Sequence, residues 1–355
     1  MDAAEATVSV GLRQLCCRLG IAGRSFARSV QNLKEAGQVV MGEDLFRRVV
    51  ENEGKAVLGA ADDGQLEIDW SAAQCKANTP AGETASRLYA SADGVLVPTT
   101  TTQEKHKRRA TTRQRRKRMS GPKRRRLPKL PAMKRGSDQR YKQVYVTAFY
   151  DQQKEHRLIG VTRQKQRGLG KLLRRDAGRV RLRGADQRVG LVDGAVCLRR
   201  HLEVLPLEEV VLDFRHLAEH VNDASRKTLG EATEAGKKFS DSALHTARHE
   251  GYEPFFQKLV DWRSGLPRGK RKTADKLLSY AAQRSEMMPY DLCEQRGWDV
   301  GSGPIESMCG VTTDRIKGRG RRWDIDHAEA VMALEALYQS NLWDQYWVKA
   351  LCGRN

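Results

Sequence analysis

The order of its hydrophobic runs predicts an α/β fold for this chain: a mixed sheet in the middle, helices at both ends and a helical insertion. Two observations carry the expectation. Five short runs rich in Val, Ile, Leu, Tyr and Phe fall between residues 88 and 213, and the stretches between the last three have helical spacing. Apolar residues upstream of residue 87, by contrast, recur only at helical intervals.

From about residue 8 to 58, Leu12, Leu15, Leu19 and Ile21, then Phe26, Val30 and Leu33, then Leu45, Val49 and Val50 mark short helices. The step Leu19-Gly20-Ile21-Ala22-Gly23-Arg24-Ser25 supplies a turn and an N-cap, which suits a DNA-reading helix-turn-helix or a plain helical hairpin. The first strand covers 88–98 and ends in Pro98. Runs 144–150 and 158–162, joined by the polar turn 151–156, form a hairpin. A charged, leucine-spaced helix over about 164–184 precedes the fourth strand, 188–193. A short helix reaches Leu205-Pro206, a fifth strand covers 209–213, and a helix follows over about 214–229.

Three strands, helix, strand, helix, strand, helix is the element order of the ribonuclease H-like fold. Its first acidic ligand lies on the first strand and its second at the end of the fourth, the places of Asp93 and Asp193. A third ligand belongs on a helix after the fifth strand. Glu306 in Gly301-Ser302-Gly303-Pro304-Ile305-Glu306-Ser307 suits that place, with Ser302 or Gly303 as cap and Pro304 near the first helical position. Glu306 lies far beyond the fifth strand. The intervening stretch, with Phe239, Tyr252, Phe255, Phe256 and Trp262, reads as an all-helical insertion. The expected layout is a helical N-terminal region at 1–85, a ribonuclease H-like core at 86–102 and 140–229, and a flexible basic insertion at 103–139. The helical insertion follows at 230–297, then a final catalytic helix and a C-terminal helix at 298–355.

Hydrophobic content of 39% and charged content of 30% are ordinary for a folded chain of 355 residues and argue against global disorder. The charge is not ordinary. Of the formal net +20, residues 105–142 supply +17, from 18 Lys and Arg against Asp138 alone, which leaves the remainder near neutral. So concentrated a charge points to a nucleic-acid backbone, whose neutralised phosphates release counterions. Candidate contacts there are Arg108, Arg109, Arg115, Arg116, Lys117, Arg118, Lys123, Arg124, Arg125 and Arg126. A second basic group, Lys317, Arg319, Arg321 and Arg322 beside Trp323, could hold phosphates and stack a flipped base, or simply end a helix.

The seven cysteines are scattered, without any C-x-x-C, which speaks against a zinc knuckle or a disulfide framework and for a reducing cytoplasm. Met1-Asp2-Ala3-Ala4-Glu5 does not open a secretory signal, and no apolar run is long enough for a membrane span. The expectation is a soluble cytoplasmic, nucleoid-associated protein with no membrane partner.

Carboxylates converging from separate elements suit hard divalent cations. Asp93, Asp193 and Glu306 are therefore the expected catalytic and metal-binding residues, for two Mg²⁺ ions with Mn²⁺ as a substitute. As bland alternatives, Asp93 and Asp193 are turn residues and Glu306 a first-turn carboxylate favoured by the helix dipole; Asp314, two turns on, is its rival. Asp213 and His216 are candidate supporting residues or simply an N-cap and a hydrogen-bonding histidine. His216 and His220 have i, i+4 metal-pair spacing without an evident third ligand.

Four blocks together carry a family resemblance: Asp93-Gly94-Val95-Leu96-Val97-Pro98; Asp193-Gly194-Ala195; Leu212-Asp213-Phe214-Arg215-His216; and 301–307, followed by Arg315-Ile316-Lys317-Gly318 and Trp323. The chain resembles the DDE transposases of bacterial insertion sequences, in particular the ISKra-type group related to Mutator-like enzymes. The resemblance implies metal-dependent cleavage at insertion-sequence ends and transfer of the freed 3′-OH into target DNA without a covalent protein–DNA intermediate. It also implies the inserted helical domain and a homodimer or higher oligomer on DNA. The basic stretch is longer, and the N-terminal region shorter, than the family pattern. A structure-specific nuclease on the same fold and a catalytically silent, domesticated DNA binder are the alternatives.

Overall fold

The computed structural model describes residues 8–119 and 127–352. Strands β1 (Lys76–Asn78), β2 (Thr84–Pro98), β3 (Tyr141–Tyr150), β4 (Arg157–Thr162), β5 (Gln187–Val192) and β6 (Glu209–Leu212) form one mixed sheet. Its main order is β4-β3-β2-β5-β6, with β1 pairing the start of β2. The β2–β3 and β3–β4 pairs are antiparallel, whereas β2–β5 and β5–β6 are parallel. All five expected strands are present. Strand β2 starts earlier than its hydrophobic run because polar Ser86 and Arg87 are buried in it. The Arg87 guanidinium satisfies itself on Gln187 Oε1 at 2.7 Å, Gly297 O at 2.6 Å and Arg296 O at 2.9 Å, and so ties the end of the insertion to the base of the sheet. Val189, Leu191, Val192, Val211 and Leu212 on the parallel strands β5 and β6 are fully buried, as parallel strands covered on both faces require.

Helices α1 (Val10–Ala22), α2 (Phe26–Gly37) and α3 (Glu43–Asp62) form the N-terminal region. They are not a free-standing unit: α3 packs along α13 (Ile325–Gln339), which itself lies on β4, and α1 touches α14 (Trp343–Cys352). The two helices approach closely at Gly54, where a Cβ would stand 2.1 Å from Ala330 O. Beside it, Arg13 Nε pairs with Glu53 Oε2 at 3.1 Å, and Tyr346 Oη donates to Glu53 Oε1 at 2.6 Å. Helix α13 also closes the exposed edge of β4: Ile159 N donates to Ser340 Oγ at 2.9 Å and Arg163 N to Glu329 Oε1 at 2.7 Å.

The stretch expected to be a flexible basic insertion instead begins with a helix, α4 (Thr102–Arg118). Thr101 and Glu104 form a capping box, and the last-turn cations Arg115 to Arg118 complement the helix dipole. Arg109 and Arg116 reach the returning chain at Pro131 O and Pro128 O, at 2.7 and 2.6 Å. No described residue of α4 is buried, so periodicity held no sign of it.

Helices α5 (Gln166–Arg179) and α6 (Val196–Leu202) complete the core. Helix α7 (Phe214–Leu229) leads into α8 (Glu234–His249), α9 (Tyr252–Gly265), α10 (Arg271–Ala282) and α11 (Tyr290–Arg296), the expected helical insertion. Helix α12 (Gly303–Asp314) then returns to pack on β2 and β3. Among the described residues no helix is long and apolar enough to cross a membrane.

Candidate metal centre and nucleic-acid surface

Parallel register assembles the site. The β2–β5 pairing ends at Ser91↔Leu191, and continuing it two residues sets Asp93 opposite Asp193. The β5–β6 pairing ends at Val192↔Leu212, so Asp213 follows Asp193 in the same row. Three aspartates thus form one row across adjacent strands: Asp193 and Asp213 just past the ends of β5 and β6, and Asp93 within β2, which runs on beside β3 to Pro98. Each has a local reason to be there. Asp93 Oδ1 accepts from Gly94 N at 2.5 Å, and Asp193 Oδ1 from Ala195 N at 3.0 Å. Gly194 permits the turn after Asp193: its φ is +87°, and a Cβ there would lie 2.6 Å from Leu212 Cδ1.

Asp213 is 1% exposed and fully occupied. Its Oδ1 caps α7 by accepting from Arg215 N at 2.7 Å. Its Oδ2 accepts from Ser302 N at 3.1 Å and from the Ser302 hydroxyl, and lies 3.5 Å from His216 Nδ1. Ser302 is the N-cap residue of α12, as the sequence suggests, yet its hydroxyl does not cap that helix. It binds Asp213 instead and fixes where α12 starts, and therefore where Glu306 stands.

Ligand atoms of Asp213, His216 and Glu306 lie within 4.8 Å of one another. Asp93 and Asp193 are outside that tighter group. Glu306, whose side chain is 39% exposed, has Arg215 Nη1 3.8 Å from its Oε2. Its helix is tied to β2 by Cys309, which the sequence reading did not single out. The Cys309 thiol is buried next to Asp93; burial first, then the Asp93 and Glu306 charges, push its pKa far up, so it stays protonated and hydrogen-bonds to Asp93. Asp314 is exposed at the far end of α12, about 12 Å from Glu306 at 1.5 Å per residue. His220 does not join His216: it stacks on Tyr280 at 3.7 Å between ring centroids, and burial, then Arg284, push its pKa down. The insertion also reaches the aspartate row, through Arg284 Nε donating to Gly194 O at 2.9 Å.

A second grouping, Cys75, Asp151 and His156, lies toward the opposite end of the sheet. Hydrogen bonds already satisfy it. Asp151 accepts from His156 N at 3.2 Å and faces His156 Nδ1 at 3.0 Å, while the Cys75 thiol donates to Ser71 O.

Of the expected DNA contacts, Arg108, Arg115, Lys117 and Arg118 are exposed on α4, with Arg109 and Arg116 partly engaged by carbonyls. Lys123, Arg124, Arg125 and Arg126 lie outside the described residues. Lys317 and Arg319 are exposed, and Arg322 pairs with Glu104 at 3.2 Å. Trp323 corrects the sequence reading. It is 8% exposed, edge-on to Phe26 at 5.8 Å, bonded through Nε1 to Ile316 O and covered by Arg315 at 5.2 Å. Its ring faces are taken by protein, so it does not offer a base a stacking surface in this structure.

No protein-family model matches the chain, and none of the curated proteins matches it. Among solved structures it is similar to the Drosophila P element transposase strand transfer complex, at 12% identity and a TM-score of 0.31, over 99% of this chain and 82% of that one. A likeness at this level carries no argument about fold or chemistry.

Proposed function

We propose that the chain is a DDE-type DNA transposase with a ribonuclease H-like core, cleaving DNA at the ends of an insertion sequence and transferring the freed 3′-OH to target DNA. The observation that carries this reading is the register of β2, β5 and β6, which lines up Asp93, Asp193 and Asp213 in one row, with Glu306 on α12 next to Asp213 and His216. The strand order β4-β3-β2-β5-β6, with β3 antiparallel and β5 parallel to β2, supports the ribonuclease H-like core. The donor set fits a hard divalent cation: carboxylate oxygens from Asp93, Asp193 and Glu306 would hold Mg²⁺ or Mn²⁺. Such ions, when bound, acidify the attacking oxygen and neutralise charge on the leaving 3′ oxygen. Asp213, with both oxygens occupied, is a positioning residue, and His216 orients beside it. The exposed face of α4 and the 317–322 segment would run along DNA phosphates. The ISKra-type assignment and a dimer on two DNA ends belong to the same proposal.

The test is cleavage of a plasmid carrying the gene's own flanking DNA, in Mg²⁺ or Mn²⁺, with Asp193→Asn alongside. Nicks at repeated termini, absent from the variant, support the transposase. Cleavage without end preference favours a nuclease, and binding without any cleavage a silent DNA binder.

A further inference from the structure

We propose that the open pocket between the α1–α2 turn, α3, the start of α4 and the 315–327 segment is a phosphate-binding site for duplex DNA, built separately from the carboxylate row. It has a volume of about 380 Å³ and is lined by seven Arg or Lys against three carboxylates. Part of that charge is internally matched. Lys105 pairs with Asp324 at 2.7 Å, and Glu51 is taken by His327 at 3.1 Å. Arg24, Arg108, Arg315 and Arg321 have no carboxylate within ion-pair distance among the described residues.

Two of these are held in place by contacts that leave their charge uncompensated. Arg315 is 7% exposed; its Nε donates to Gly20 O at 2.9 Å, and its guanidinium lies 4.5 Å from the Phe26 ring centroid. Arg321 Nη1 donates to Arg315 O at 2.7 Å and to Asp314 O at 3.2 Å. Carbonyls and aromatic faces orient guanidiniums without neutralising them. Burial, and secondarily Arg321, push the Arg315 pKa down to about 10. Fixed, adjacent guanidiniums in an open pocket suit the oxygens of a phosphate, which accept several charge-assisted hydrogen bonds at once. Arg24 and Arg108 stand exposed at the mouth.

The cavity is joined to the sheet end that carries the aspartates. Trp323 N donates to Pro98 O at 3.0 Å and Thr100 N to Trp323 O at 2.8 Å, so its wall continues β2 beyond Pro98. Asp93 is five residues back along that strand, about 16 Å at 3.3 Å per residue. That is about half a helical turn of DNA. A duplex anchored in the cavity would therefore pass the carboxylates. The choice of DNA as the anion rests on the function proposed above; the cavity's fit to phosphate does not.

The test measures binding of the full chain to a short DNA duplex in EDTA, by fluorescence anisotropy, as salt is raised from about 50 to 200 mM. Arg24→Ala/Arg315→Gln, outside both α4 and the 317–322 segment and checked for a parental circular dichroism spectrum, should lower the slope of log K against log salt by about 1 to 2, at roughly 0.9 per lost phosphate contact. The exposed pair Lys272→Ala/Lys276→Ala on α10 removes the same charge elsewhere and should leave the slope near that of the parent. An unchanged slope in the first variant, or an equal fall in both, overturns the proposal. Because EDTA removes metal, the readout does not depend on cleavage. A reduced slope in a protein that never cuts DNA upholds the cavity and sinks the transposase reading; cleavage with an unchanged slope does the reverse.

Discussion

Ser302 donates both its backbone N–H and its hydroxyl to Oδ2 of Asp213, across 89 residues of sequence. The whole helical insertion lies between the two. This contact, with the Arg87 bonds to Arg296 and Gly297, returns the chain to the sheet and brings the Glu306 carboxylate within 4.8 Å of the ligand atoms of Asp213 and His216. Ser302→Ala should cost about 1–3 kcal/mol, since a buried carboxylate loses a donor. Asp213→Ala should cost more and also lower metal-dependent cleavage, because the start of α12 is released. Urea unfolding and cleavage assays on both variants check this; a Ser302→Ala protein of parental stability would mean that the contact does not anchor the helix.

Asp93→Asn and Glu306→Gln remove one charge each while keeping shape. Loss of several kcal/mol of metal-mediated stabilisation corresponds to about 10³-fold or more in rate. Both variants should lose cleavage to that extent and keep the parental circular dichroism spectrum. Retained cleavage in either would remove that residue from the site.

Gly54→Ala should destabilise the protein by about 1–3 kcal/mol or more, as in other overpacked interiors. The added methyl meets the backbone carbonyl of Ala330, which cannot rotate away as a side chain would. Gly59→Ala, at a position of α3 with nothing within 4 Å, should be neutral or mildly stabilising. Thermal unfolding of the pair separates close packing from helix propensity.

Cysteine reactivity should divide by burial. Burial pushes Cys16 up to about 11, and Cys75 and Cys293 up to about 12, so at pH 8 their thiolate fractions are minute. Cys197 is the part-exposed cysteine among those described. Brief alkylation of native protein at pH 8, followed by peptide mass mapping, should label Cys197 ahead of Cys16, Cys75 and Cys293. Rapid labelling of Cys75 would show that the segment joining α3 to the sheet opens readily.

Asp299 supplies a pH signature. Burial raises its carboxyl pKa, outweighing the opposing charges of Lys154 and Arg87. The folded state then holds its proton to higher pH than the unfolded chain, so this group's contribution to stability falls as pH rises from the unfolded pKa to the folded one. Asp299→Asn should therefore stabilise the protein at pH 7 and have little effect near pH 3. Urea midpoints at the two pH values test it, and a variant that loses stability at pH 7 would assign the carboxylate a favourable role instead.

Strand positions and the helices of the 230–297 stretch were legible in the sequence because each depends on short-range pattern. Alternating or continuous apolar runs, Asp-Gly turns and a Pro at the start of a helix act within a few residues. Helix α4 was illegible because it buries nothing and has no apolar period. The sequence also left Asp213 undecided between a capping and a supporting role. The fold shows the cap on α7 and adds a bond to Ser302 that the sequence did not reveal. Cys309, Arg315 and the cationic cavity were equally hidden, because their partners come from β2, the α1–α2 turn and α4. Trp323 shows the opposite error: among glycines and arginines it read as an exposed stacking platform, and packing against Phe26 made it interior. Local pattern specifies which elements form and which residues are chemically able to act. Long-range packing and hydrogen bonding specify which of those residues meet, because contacts between distant segments leave no period in the chain.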